Sequence, residues 1–163
     1  MTGLESLACS IIYYVDPVSG KIYVANNEDY WYDVEAYIQI EPGSGNEYAR
    51  LWYGWDNFAQ GGVNEHGLFF DGALTPRQEI PEGFVEPNGR NVGDEILAFC
   101  SKVEEAINYL VMEKIGIAEG HLMLGDREGN AVVVEWVQGE IRVVRMKENY
   151  LIATNFLLSE DSV

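Results

Sequence analysis

The sequence predicts an α+β domain built on antiparallel sheet, and three observations carry that reading. Short β-branched and aromatic runs fill the first half, two stretches of helical spacing lie near residues 93–114, and four further short apolar runs with tight turns follow. Strands, then a helical pair, then strands again suit sheet with helices on one outer face, not a parallel doubly wound fold. At 163 residues the chain is one domain, long enough to bury roughly 70% of its unfolded surface. No internal repeat, low-complexity tract or linker divides it.

In chain order, residues 9–15 and 21–25 are β-rich and flank the turn Asp16-Pro17-Val18-Ser19-Gly20, which predicts a hairpin. That hairpin brings Cys9 and the segment Asn26-Asn27-Glu28-Asp29 to one end of the sheet. Residues 34–40 and 48–55, separated by a turn at Gly43-Ser44-Gly45-Asn46, read as a second hairpin. Asn64-Glu65-His66-Gly67 is a tight turn feeding a buried strand over residues 68–74, and a proline- and glycine-rich loop occupies 75–89. Residues 93–100 and 103–114 carry helical spacing, with Gly116 closing the second helix. Residues 121–124, 131–137, 141–146 and 150–154 then form an antiparallel meander.

Composition narrows the function. Twenty-seven acids against ten bases give a net charge of −17, and the bases are scattered singly apart from Arg142 and Arg145. Phosphate backbones require clustered Lys and Arg, so nucleic acid and anionic lipid are not expected as partners. The same field disfavours a strongly anionic substrate and favours a neutral or cationic one. Two cysteines make no disulfide framework, and neither Cys-x-x-Cys nor His-x-x-x-His spacing is present, so no metal is expected. Residues 1–8 lack a basic start and a long apolar run, and no run is long enough to span a bilayer. The expected location is the cytoplasm, or outside the cell if a leader ending near Ala8 has been removed.

Cys9 is the leading candidate nucleophile. A free thiol with a pKa of about 8.5 is mostly protonated at neutral pH and needs a base. An α-amino group, pKa about 7.7–8.0, can serve only if Cys9 is residue one. Taken alone, a cysteine on a core strand is more often an inert buried side chain. Asp29 could orient that amine, Asn27 could donate to a carbonyl oxygen and Asn155 could supply an oxyanion donor, although Asn and Asp beside strands are also ordinary turn formers. His66 and His121 are the only imidazoles, and neither spacing suggests a dyad; Cys100 reads as core. Trp31, Trp52 and Trp55 belong to core, sheet surface or a pocket wall.

Taken jointly, five motifs resemble the choloylglycine hydrolase and penicillin-acylase group of linear amide hydrolases. They are Ala8-Cys9-Ser10, Asn26-Asn27-Glu28-Asp29, the stretch from Gln60 through Asn64-Glu65-His66-Gly67-Leu68, His121 to Asp126 with Glu135-Trp136, and Ala153-Thr154-Asn155-Phe156. The resemblance implies an N-terminal-nucleophile hydrolase fold, an αββα sandwich, seen here in its N-terminal part over residues 9–163, with residues 1–8 a propeptide or leader remnant. It further implies cleavage of a non-peptide amide C–N bond in a small molecule, without metal or cofactor. Cys9 would be the nucleophile, Asp29 the carboxylate that orients the α-amine, and Asn155 the oxyanion donor. Asn27 matches a motif residue. Asn26 stands where the bile-salt and penicillin V members have arginine, and Leu74 where they have asparagine, so these two positions, together with Asn27, are the expected substrate-binding residues. An exposed Cys9 is required for such an enzyme, and the alternative is a non-catalytic binding or assembly module on the same fold. With later family strands absent, an open sheet edge implies a homo-oligomer.

Overall fold

The computed structural model describes residues 9–29 and 33–159. β1 (Ser10–Val15) and β2 (Ile22–Asn27) form the first hairpin, paired from Ser10↔Asn27 to Val15↔Ile22. Asp16 closes its loop by accepting from the Val18 N–H at 2.9 Å and the Ser19 hydroxyl at 2.7 Å, while Gly20 takes φ 68°. The third strand of this sheet departs from the sequence reading. Residues 150–154 were expected in the last meander, but β10 (Tyr150–Ala153) leaves its neighbours in sequence and pairs with β1, from Ile11↔Ala153 to Tyr14↔Tyr150.

A second, seven-stranded sheet runs in chain order: β3 (Tyr37–Glu41), β4 (Arg50–Trp55), β5 (Phe58–Asn64), β6 (Phe69–Ala73), β7 (His121–Gly125), β8 (Ala131–Val137) and β9 (Glu140–Arg145), antiparallel throughout. The sequence reading did not anticipate β5. Asp56 and Asn57 join it to β4, both left-handed at φ 52° and 57°, the geometry of a two-residue hairpin turn. Gly61 and Gly62 interrupt its apolar pattern for a steric reason. A Cβ at Gly61 would enter the Tyr53 hydroxyl and the Asp71 carboxylate, and one at Gly62 would meet the Leu51 carbonyl and Trp52.

α1 (Val92–Phe99) and α2 (Val103–Met112) cover one face of this sheet, where Phe70, Leu122, Leu124, Val132, Val134 and Trp136 meet Ile96, Leu97, Val103 and Leu110. Asn91 caps α1, and Arg50 on β4 grips Asp94 in its first turn with two hydrogen bonds, at 2.5 and 3.0 Å. α2 lacks a capping side chain of its own; Asp126, from the β7–β8 turn, accepts the Val103 N–H at 3.2 Å instead. The helix ends at Glu113 and Lys114, which takes the left-handed φ of 53° expected of Gly116. Gly116 is small for another reason: a Cβ there would press on Ile80.

The opposite face of the seven-stranded sheet packs on the three-stranded one through Cys9, Ile11, Tyr13, Phe69, Met123, Val133 and Leu151. The layers are therefore helices, large sheet, small sheet. Among the described residues no helix covers the outer face of the small sheet, where Tyr23, Tyr150 and Ile152 are exposed, so one helical layer of the expected sandwich is present.

Candidate active site

Backbone register assembles the site. Extending the β1–β2 pairing by one residue places Cys9 opposite Glu28, and extending the β1–β10 pairing by two places it opposite Asn155. The side chains follow. The Cys9 N–H donates to Asn155 Oδ1 at 2.7 Å, Asn155 Nδ2 donates to the Leu74 carbonyl at 2.8 Å, and the Cys9 thiol reaches Glu28 Oε2 at 3.4 Å. The Asp29 N–H points at the same sulfur. Burial pushes the Cys9 thiol above its ordinary pKa; the Asp29 N–H opposes this, and the Glu28 carboxylate adds to it.

Behind this contact lies a carboxylate network that the sequence reading missed. Asn26, on the inner face of β2, donates from Nδ2 to both Glu28 Oε1 at 2.8 Å and Asp71 Oδ1 at 2.9 Å. Asp71 is fully buried on β6 and also accepts from the Tyr53 hydroxyl and from the Gly72 N–H at 2.8 Å. Burial drives its pKa up to about 7, the Tyr53 hydrogen bond restrains the rise, and Glu28 adds to it. The available signal was the charge itself: an aspartate inside the apolar run Leu68 to Leu74 demands a partner.

A cavity of about 380 Å³ opens beside the sulfur. Cys9, Glu28, Asp29, Leu74 and His121 stand on its wall together with aromatic surface from Trp55, Phe58 and Phe70. Asn155 holds the Cys9 and Leu74 backbones together without itself being on that wall. Asn27 is the register partner of Ser10, exposed and away from the cavity. His121 is buried with Nδ1 3.1 Å from Glu135 Oε1. Burial alone would raise the Glu135 pKa, but His121 and the N–H groups of Leu158 and Ser159 outweigh it and hold the group at about 2. His66 packs edge-on against Tyr48, and Cys100 is buried in the helix-side core. Trp31 lies outside the described residues.

A nucleophile candidate at the start of a central strand, with antiparallel sheets stacked beneath it, defines the fold as that of the N-terminal-nucleophile hydrolases. The family model described as acyl-coenzyme A:6-aminopenicillanic acid acyl-transferase matches residues 17–162, and the chain belongs to that family. It is 26% identical over 92% of its length to the penicillin V acylase of Pectobacterium atrosepticum, covering 50% of that protein. The solved penicillin V acylase of Agrobacterium tumefaciens is similar with a TM-score of 0.66 and 20% identity, over 93% of this chain and 54% of that one. A variant of the conjugated bile acid hydrolase of Clostridium perfringens follows at 0.65 and 22%, over 89% and 53%. The chain thus spans about half the length of these relatives.

Proposed function

We propose that this chain carries the nucleophilic part of a hydrolase for linear, non-peptide amide bonds, with Cys9 as nucleophile. The observation supporting it is the juxtaposition of the Cys9 sulfur, the Asp29 N–H and an apolar cavity large enough for a small-molecule acyl group. In the proposed cycle the freed α-amine of Cys9 takes the thiol proton and Sγ attacks the amide carbonyl carbon. The oxyanion is met by backbone N–H groups; Asn155 acts at one remove, because its amide is off the cavity wall and ties the Cys9 N–H to the Leu74 carbonyl. The C–N bond breaks as the α-ammonium returns its proton to the leaving amine. Water, deprotonated by the same amine, then hydrolyses the thioester to a carboxylic acid and the thiol. Asp29 orients the amine, Leu74 shapes the substrate side, and Asn26 positions the Glu28 carboxylate on that wall.

The amine is the decisive requirement. In this sequence the Cys9 nitrogen is an amide, bonded to Ala8, and has no basic lone pair. The test exposes Cys9 as the first residue and assays hydrolysis of penicillin V, a conjugated bile acid and simple anilides, the first two chosen from the names of the relatives. Activity should appear on exposure and vanish in Cys9→Ala, while the form with residues 1–8 attached stays inert. Amidase activity in the intact form that survives Cys9→Ala would overturn the mechanism. Because the relatives are about twice as long, the assay belongs also on the chain joined to any natural C-terminal continuation.

A further inference from the structure

The wall of the cavity beside Cys9 combines carboxylates with hydrocarbon and, among the described residues, carries no Lys or Arg. All ten Lys and Arg of the chain fall within the described residues. Arg50, Arg77, Arg90, Lys102 and Arg145 form ion pairs elsewhere, and neither Glu28 nor Asp71 takes part in any of them. Glu119, also on the wall, is different, because Arg77 holds it at 3.1 Å. Glu28 and Asp71 are instead bridged by one neutral donor, the Asn26 amide. Two carboxylates sharing a neutral amide repel each other, and although Asp71 also accepts from the Tyr53 hydroxyl and the Gly72 N–H, Glu28 gains no cationic partner among the described residues.

His121 supplies an independent observation. It lines the same cavity, its Nε2 is buried, and that atom has no hydrogen-bond partner among the described residues. Glu135 is held ionised by two backbone N–H groups, so Nδ1 is the nitrogen that donates to it, and Nε2 is the ring nitrogen left for a ligand. Glu28 thus offers an acceptor that meets only the Cys9 thiol and the neutral Asn26 amide, and what it lacks among the described residues is a donor with positive charge.

We infer that this cavity takes an amide bearing an ammonium group a few bonds from its carbonyl carbon; the inference rests on the amidase reading above. Glu28 Oε2 lies 3.4 Å from the sulfur that would attack the carbonyl, so an ammonium held by that carboxylate must be close in bonds to the reacting carbon. The apolar remainder of the substrate lies against Trp55, Phe58 and Phe70. The freed α-amine of Cys9 could itself neutralise the cluster, so the first measurement uses the chain with residues 1–8 attached, where no such amine exists.

That measurement is the rate at which Cys9 forms a mixed disulfide with 2-aminoethyl, methyl and 2-sulfonatoethyl methanethiosulfonate, located by peptide mass spectrometry and normalised to each reagent's rate with free glutathione. The cationic reagent should exceed the anionic one by roughly tenfold or more, the lower end of what a focused field achieves. In 1 M salt, where the Debye length is about 3 Å, the contribution of the remote −17 charge is screened while the local preference persists. Glu28→Gln and Asp71→Asn should each reduce the ratio, and Glu82→Gln, an exposed position, should not. A ratio near one in high salt, or a ratio untouched by Glu28→Gln, overturns the inference, as does failure of the cationic reagent to reach Cys9. The second measurement uses the form with Cys9 exposed and compares alanine 4-nitroanilide with propionyl 4-nitroanilide. Preference for the ammonium-bearing amide supports the inference, and preference for the neutral one refutes it while leaving the amidase reading intact. Charge-selective labelling with neither anilide cleaved leaves the acidic pocket standing and counts against the amidase reading.

Discussion

Asp71 and Glu135 are both buried carboxylates, yet their surroundings drive them in opposite directions. Asp71 meets one hydroxyl, one amide and a second carboxylate, and its pKa rises from 3.8 to about 7. The folded state therefore binds that proton more tightly than the unfolded chain, so its contribution is most favourable below pH 4 and is lost as pH rises to 7. Asp71→Asn should flatten this fall and raise stability at pH 8, by on the order of a few kcal/mol, in urea unfolding at several pH values. Glu135, held at about 2 from an ordinary 4.5, contributes in the other sense: its stabilisation is present above pH 4.5 and lost as pH falls through 2. At Cys9 the Glu28 carboxylate disfavours the thiolate, so Glu28→Gln should shift the pH profile of iodoacetamide alkylation to lower pH. An unchanged profile would mean that burial alone sets the thiol. Glu28 was not chosen from the sequence, because the residue that faces Cys9 follows from the hairpin's register. Register depends on how many residues the Asp16 turn consumes, and a one-residue slip exchanges Glu28 for a neighbour on the other face.

At the scale of elements, the helix layer is seated by the contact of Gly93 with Phe70. A Cβ on Gly93 would fall within the Phe70 ring, so α1 approaches β6 as closely as backbone permits. Gly93→Ala sets two effects against each other: a gain in helix propensity of up to about 1 kcal/mol, and overpacking that costs about 1–3 kcal/mol. The steric cost should win, giving a net loss in thermal unfolding, and Phe70→Leu should reduce that loss if the ring is the cause. The hairpins and helices were legible because their periodicity is local. β5 was not, because Gly61 and Gly62 serve the neighbouring strands' side chains and so break the pattern by which a strand is recognised. β10 was recognised as a strand but not placed in its sheet, since adjacency in sequence favours pairing with β9 and only the inter-layer packing of Leu151 and Ala153 decides otherwise. The candidate site inherits this: Cys9, Asp29 and Asn155 were legible as motif residues, whereas Asn26, Asp71 and Tyr53 meet only once two sheets are stacked.

Considered whole, the described residues leave two surfaces incompletely covered, and a strong charge opposes their use. Ile38 and Ile40 on the edge strand β3 are each about two-thirds exposed, and register places Leu51 and Val63 beside them on the same face. An open edge with apolar side chains is a pairing surface, and β3 carries no Lys or Pro to blunt it. Against this, a net charge of −17 on a chain of 18.3 kDa repels a second copy at neutral pH. The balance should therefore move with ionic strength. Sedimentation velocity in dilute buffer at pH 8 should show less association than in 0.5 M salt, where surface charges more than a few ångström apart are screened. Lowering the pH toward the sequence pI of about 4.2 should act in the same direction. Ile38→Lys together with Ile40→Lys places cations on the edge and should keep the protein monomeric in high salt. A wild-type protein that stays monomeric at high concentration and high salt would show that the edge is already closed, and the expected homo-oligomer would have to be given up.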